Sequence, residues 1–145
     1  MIGVLLIFAL AAAQPDAGQV LRYIQKSHID ANVPDSTDFE KFLWRDLAEY
    51  FSTTRNRKVT SLEYEPLRQG PTQSGVSYPK FYLWVRIAGG KNPQDRGVVR
   101  VAAIEKKRFE VTDFVSEETI LKDFDKLYGV FPAAVCETIK GKMRG

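Results

Sequence analysis

Two aspartates stand where their surroundings could support chemistry. Asp46 falls within the run Phe39, Phe42, Leu43, Asp46, Leu47, Tyr50, Phe51, which recurs at helical spacing. Stepping about 100° per residue sets it near the centre of that apolar arc. A carboxylate turned toward an apolar interior must be paired, hydrogen-bonded or wet. Burial favours the neutral acid, and an acid poised near neutrality suits a general base. Asp113 follows Phe109 and Val111 at alternate positions, so strand periodicity sets it on the same, interior face. Two such acids facing each other across a pocket would titrate as a coupled pair. His28, the one histidine, shares a helical face with Val20, Leu21 and Ile24 and could carry protons at the pocket mouth. Each has a plainer role, which is preferred here. Asp46 would bond a strand backbone group or pair with an arginine such as Arg22. Asp113 would cap a strand end, and His28 would be a packed residue at the core edge.

Other chemistries lack their residues. There is no G-x-S-x-G elbow for a serine nucleophile, no Walker loop and no dinucleotide fingerprint; Gly89-Gly90 alone marks a turn. Cys136 is the sole cysteine, so no intrachain disulfide can form, and its expected role is a small buried residue on a C-terminal helix. One cysteine and one histidine cannot supply a zinc site. No metal and no cofactor are expected.

The elements that must position these residues fit one domain. The chain has 145 residues, 44% hydrophobic and 27% charged, an ordinary globular balance. Met1 to Ala13 is a short apolar run in which Ala11 and Ala13 make the small-x-small pattern of a signal-peptidase site. It falls short of the roughly 20 residues that span a bilayer. The expectation is a signal peptide over residues 1–13 and a single secreted or periplasmic domain over 14–145, with no stable membrane span after cleavage. The net charge of +3 is mild, and the basic runs at 55–58 and 106–108 fall at expected turns. A nucleic-acid surface would need a basic stripe interleaved with aromatics, so no such partner is expected.

Along the domain, Asp16 caps a first helix over about Ala17 to Ile29, and Ser36 or Thr37, with Glu40, opens a second that closes at Thr53-Thr54. Strands follow at Lys58 to Leu67, with Leu62 and Tyr64 on one face, and at Val76 to Ala88. The segment 97–116 reads as a hairpin of two strands around a charged turn. Ser116 starts a helix reaching toward Tyr128, Gly129 stops it, and Pro132 begins a last one over Ala133 to Lys142. The fold class is α+β: N-terminal helices packed on a curved antiparallel sheet of about four strands, with C-terminal helical segments. One helix layer on such a sheet would enclose a cone, with Phe42, Asp46, Tyr50, Tyr64 and Asp113 as candidate ligand-binding residues. In the second strand Tyr82, Trp84 and Arg86 alternate against Phe81, Leu83, Val85 and Ile87. An exposed Tyr-Trp-Arg row is an interaction hot spot and a possible homodimer face; a covering C-terminal helix is the alternative.

The final hairpin, where Phe109, Val111, Asp113 and Phe114 return from a charged turn, resembles the nuclear-transport-factor-like superfamily, also called ketosteroid-isomerase-like or cystatin-like. The order of elements resembles it over most of the domain. That resemblance implies a cone-shaped fold shared by isomerases, dehydratases, hydrolases and many non-catalytic proteins, so it does not choose a function. No member's catalytic set maps onto this chain. The leading expectation is an exported non-catalytic protein that binds a partner protein or a small apolar ligand. The alternatives are a cofactor-free lyase, isomerase or hydrolase using Asp46 and Asp113, and an inhibitor or immunity-type protein of a secreted enzyme.

Overall fold

The computed structural model describes residues 16–87 and 91–144; the expected signal peptide and the Gly89-Gly90 turn lie outside them. Helix α1, Ala17–Asn32, opens on a reciprocal capping box. Asp16 Oδ1 accepts the Gln19 N–H at 2.7 Å, and Gln19 Oε1 accepts the Asp16 N–H at 3.2 Å. Its expected apolar face is not packed: Val20, Leu21 and Ile24 are exposed. Helical periodicity gives a face but not the surface that covers it. Only the C-terminal end of α1 enters the body of the protein, through buried Asn32.

Helix α2, Ser36–Arg55, is capped by Asp35, one residue before the first expected cap, and Asp35 makes no side-chain capping bond. Asp38 in the first turn and Arg55 in the last complement the helix dipole. Asn56 ends the helix in the left-handed region, φ 53°, and Ser52 Oγ accepts the Val59 N–H at 2.8 Å to turn the chain back.

Four strands follow: β1, Leu62–Pro66; β2, Lys80–Ile87; β3, Arg96–Ile104; and β4, Arg108–Ser116. They form one antiparallel sheet in the order β1-β2-β3-β4. The first two are shorter than expected. The stretch before Lys80 is loop, held by Arg68 donating to the carbonyls of Gly70 and Pro71 at 3.0 and 2.7 Å. The β3–β4 turn has Glu105 and Lys106 at φ 53° and 63°, the positive values a tight hairpin turn requires. Asn32 holds it: Oδ1 accepts the Glu105 N–H and the backbone carbonyl accepts the Lys106 N–H, both at 2.9 Å.

The hairpin is not regular. Arg100 pairs with Asp113 but Val101 pairs with Val111, so Thr112 is an extra, bulged residue. Before it, Phe109 and Val111 point to the α2 side; after it Phe114 does, and Val115 joins the other side. The α2 side holds Leu43, Leu47, Phe51, Leu83, Val85, Ile87, Val99 and Val101.

The second face is closed too. Helix α3, Glu117–Lys122, and a 3-10 turn, Phe124–Gly129, replace the single helix expected before Gly129, and the expected last helix, α4, spans Ala133–Arg144. Their Ile120, Leu127, Phe131, Val135 and Ile139 cover Tyr82 and Trp84. Both aromatics are 4% exposed, so the expected open Tyr-Trp-Arg row is overturned and only Arg86 stays at the surface. The C-terminal segments carry an apolar spacing of their own, and this is the face it needs. Cys136 is buried there as expected, its Sγ 3.6 Å from the Phe131 carbonyl, and burial pushes the thiol up. The α+β class stands: two N-terminal helices, a four-stranded antiparallel sheet and C-terminal helical segments. No described helix is long and apolar enough to cross a membrane.

Gly97 on β3 lies against the end of β4 with no room for a side chain. A Cβ there would lie 2.8 Å from both the Phe114 ring and the Ser116 Cα, and closer still to the Val115 carbonyl. Backbone cannot yield as a flexible side chain would. Gly97→Ala is expected to lower unfolding stability by about 2 kcal/mol or more, read from a urea titration; an unchanged midpoint would contradict this packing.

Candidate functional site

The two aspartates do not face each other, and Asp46 takes the plainer role preferred for it. Asp46 projects from α2 toward the start of β4, where Oδ2 accepts the Phe109 N–H at 2.7 Å. Arg45 grips the same carboxylate, with Nε 2.9 Å from Oδ1 and Nη2 3.2 Å from Oδ2. Its Nη2 also donates to the Lys107 carbonyl at 2.8 Å, and its guanidinium lies 4.6 Å from the Phe42 ring centre. The bond to Asp46 holds the guanidinium above its usual range. Asp46 therefore docks α2 on the sheet edge, and its arginine is the adjacent Arg45, not Arg22.

Asp113 lies on the other face of the sheet. Strand alternation from Phe109 put it inside with Asp46, and the bulge at Thr112 reverses that parity. It pairs with Arg100, which also donates to Thr112 Oγ1 at 2.9 Å and to the Val130 carbonyl at 3.0 Å. The triad of contacts ties the chain before α4 to the sheet. His28 is half-buried near the end of α1, and among the described residues it shares no hydrogen bond or ion pair with either acid.

The centre of the expected cone is solid. Phe39, Phe81 and Phe109 meet edge to face with ring centres 5.1, 5.1 and 6.1 Å apart. Tyr50 stacks edge-on against Phe51 at 5.0 Å, and Phe42 packs against the same core. Phe42, Asp46, Tyr50 and Asp113 are thus taken up by packing and by structural bonds. Of the expected ligand-binding residues, Tyr64 lines open space. Among the described residues no cluster of three histidine, cysteine or carboxylate side chains is arranged to hold a metal ion.

That open space runs along β1. A hollow of about 740 Å³ lies between α2 and β1, lined by Phe39, Glu40, Lys41, Trp44, Leu62 and Tyr64, among others. A second of about 490 Å³ adjoins it at Phe39, Tyr64 and Pro66 and continues past Arg68 to Phe81 and Leu83. Glu40 and Trp44 are four apart on α2, so they share the flank turned to β1. Trp44 is 41% exposed, unusual for so large an apolar ring. Burial, with the Glu40 charge adding to it, pushes the Tyr64 phenol above the usual tyrosine range. On the opposite flank of β1 a small hollow of about 100 Å³ is ringed by Glu63, Glu65, Trp84 and Arg86. Tyr64 touches all three.

Sequence reasoning missed Trp44 and Glu40 because attention went to the buried arc of α2. The signal available was a tryptophan just outside that arc, four residues after an acid. The groove can take an apolar group, edge-on to aromatics, with a phenol and a carboxylate at its rim; Asp46 and Asp113 lie elsewhere.

A docking role for Asp46 has a consequence for stability. Asp46→Ala strands the Phe109 N–H and the Arg45 guanidinium, so unfolding stability should fall by roughly 1–3 kcal/mol, while Asp46→Asn, which keeps an acceptor, should fall less. Equal stability of the alanine variant and the parent in chemical denaturation would contradict it.

Compared with known proteins, the chain gives no significant match to a family model, a curated protein or a solved structure.

Proposed function

We propose that this protein is a non-catalytic binding protein that seats an apolar group of a partner, protein or small molecule, in the groove between α2 and β1. The observation that carries the reading is the exposed indole of Trp44 beside Leu62, Tyr64 and Pro66, over a hollow of about 740 Å³. A large aromatic left half in water at the rim of a concave apolar surface is the composition of a binding hot spot. The resemblance to the nuclear-transport-factor-like superfamily belongs to this proposal, as does export to the cell exterior or periplasm. The first rests on the order of elements and the hairpin over residues 97–116, and the second on the apolar run Met1 to Ala13.

The catalytic alternative loses its motive. A cofactor-free isomerase, lyase or hydrolase would need two titratable groups converging in one cavity, and Asp46 and Asp113 bond on opposite faces of the sheet.

The test uses an apolar dye, 1-anilinonaphthalene-8-sulfonate, on the purified folded protein. Saturable fluorescence enhancement is expected, lost by about tenfold or more in affinity in Trp44→Ala and in Leu62→Lys, with both variants unfolding near the parent midpoint. Dye binding that is unchanged in both variants would remove the groove from the account.

A further inference from the structure

We infer that the partner enters this groove as an extended segment that adds an antiparallel fifth strand to β1, with apolar residues facing α2 and basic residues facing Glu63 and Glu65. The inference rests on the groove reading and specifies what the groove binds.

The backbone of β1 supplies the first part. Leu67 N–H bonds the Tyr82 carbonyl at 2.9 Å, and β1 and β2 pair in the register Glu65 with Trp84 and Glu63 with Arg86. Antiparallel pairs alternate between bonded and non-bonded, so Glu65 and Glu63 turn their backbone toward β2. Leu62, Tyr64 and Pro66 turn theirs outward. Among the described residues nothing bonds the outward N–H or carbonyl groups of Leu62 and Tyr64. Pro66 has no N–H, so it ends the free ladder. The other edge of the sheet is treated differently: the outward N–H of Phe109 on β4 is taken by Asp46. Beside the apolar groove no side chain makes such a bond to the outer edge of β1 among the described residues.

Side-chain geometry supplies the second part. In an antiparallel pair, residues directly opposite each other share a face. Partner residues opposite Leu62 and Tyr64 would therefore bond β1 through their backbone and drop their side chains between β1 and α2, against Trp44 and Phe39. The residues between them would lie beside Glu63 and Glu65. Glu63 already faces Arg86 across the strand pair, and Glu65 pairs with Lys142 from α4. A lysine or arginine on the outer side continues this row with alternating sign, which favours pairing.

The same charges argue against a second copy of the chain. An antiparallel pairing of β1 with itself that engages Tyr64 in register with Leu62 or with Tyr64 of the copy sets Glu63 opposite Glu63 or Glu65. Like charges directly opposite destabilise the pair.

The experiment is calorimetric titration of the purified protein with a short synthetic peptide that alternates valine and lysine and is capped at both ends. N-methylation of the valine amides removes the donors aimed at β1, and N-methylation of the lysine amides removes donors aimed at solvent. The expected result is binding by the parent peptide and by the lysine-methylated form. The valine-methylated form, and a form with glutamate in place of lysine, should each bind about tenfold or more weakly. Equal affinity of the two methylated peptides, or of the glutamate peptide and the parent, would overturn strand addition, as would no binding by the parent at millimolar concentration. Binding of the dye is independent of backbone amides, so retained dye binding with failed peptides sinks this inference alone. Self-association of the chain that the peptide dissolves would overturn the choice of occupant.

Discussion

The single unpaired residue in β4 decides how this protein is put together. With Thr112 bulged, the strand changes parity halfway along. Phe114 turns into the α2 core and meets Phe51 edge-on at 4.9 Å, while Asp113 and Val115 turn to the C-terminal side. Without the bulge Asp113 would be driven among the phenylalanines, where an unpaired carboxylate is costly. With it, the acid finds Arg100, and that arginine reaches the Val130 carbonyl to draw α4 onto the sheet. The separation of Asp113 from Asp46 follows from this step.

Ionic contacts at the sheet margins do the remaining fastening. Arg45 and Asp46 pin the middle of α2 to the hairpin, and Arg55 reaches buried Asp95 at 2.6 Å from the end of the same helix. Arg96 pairs with Glu117 to hold α3 against the beginning of β3. The last two pairs sit at element ends, where exposed or marginal backbone would otherwise loosen first. β1 has one such clasp, Lys142 to Glu65, whose lysine also lies 5.6 Å from the Trp84 ring centre. The clasp grips the flank away from the groove and leaves the outer edge free.

Much of this architecture was legible in the residue pattern. The 3.6-residue period of α2, the alternation of Phe81 through Ile87 and the turn residues around Lys106 identify their elements, because each is a local property of spacing. The α+β order follows from them. What was not legible is partnership. Alternation separates Tyr82 and Trp84 from Leu83 and Val85, but both sets are apolar enough to be buried, and only the C-terminal segments decide that both are. Strand parity carried Asp113 to the wrong face because a bulge changes parity by one residue with no compositional mark at Thr112. Asp46 was correctly seen as facing inward, and its plainer role as a ligand of strand backbone is the one observed. Tyr64 was identified through its strand face, whereas Trp44 and Glu40 needed the helix to be laid against β1 before their place beside Tyr64 was visible.

The proposed binding surface is the outer edge of β1, and amide hydrogen exchange resolved by residue measures directly whether that edge is free. In the free protein the Phe109 amide, held by Asp46, should exchange at the slow rate of the core, while the Leu62 and Tyr64 amides should exchange orders of magnitude faster than those of Glu63 and Glu65 beside them. Protection of Leu62 and Tyr64 equal to that of their neighbours would mean that the β1 edge is already occupied, and would contradict an open binding edge.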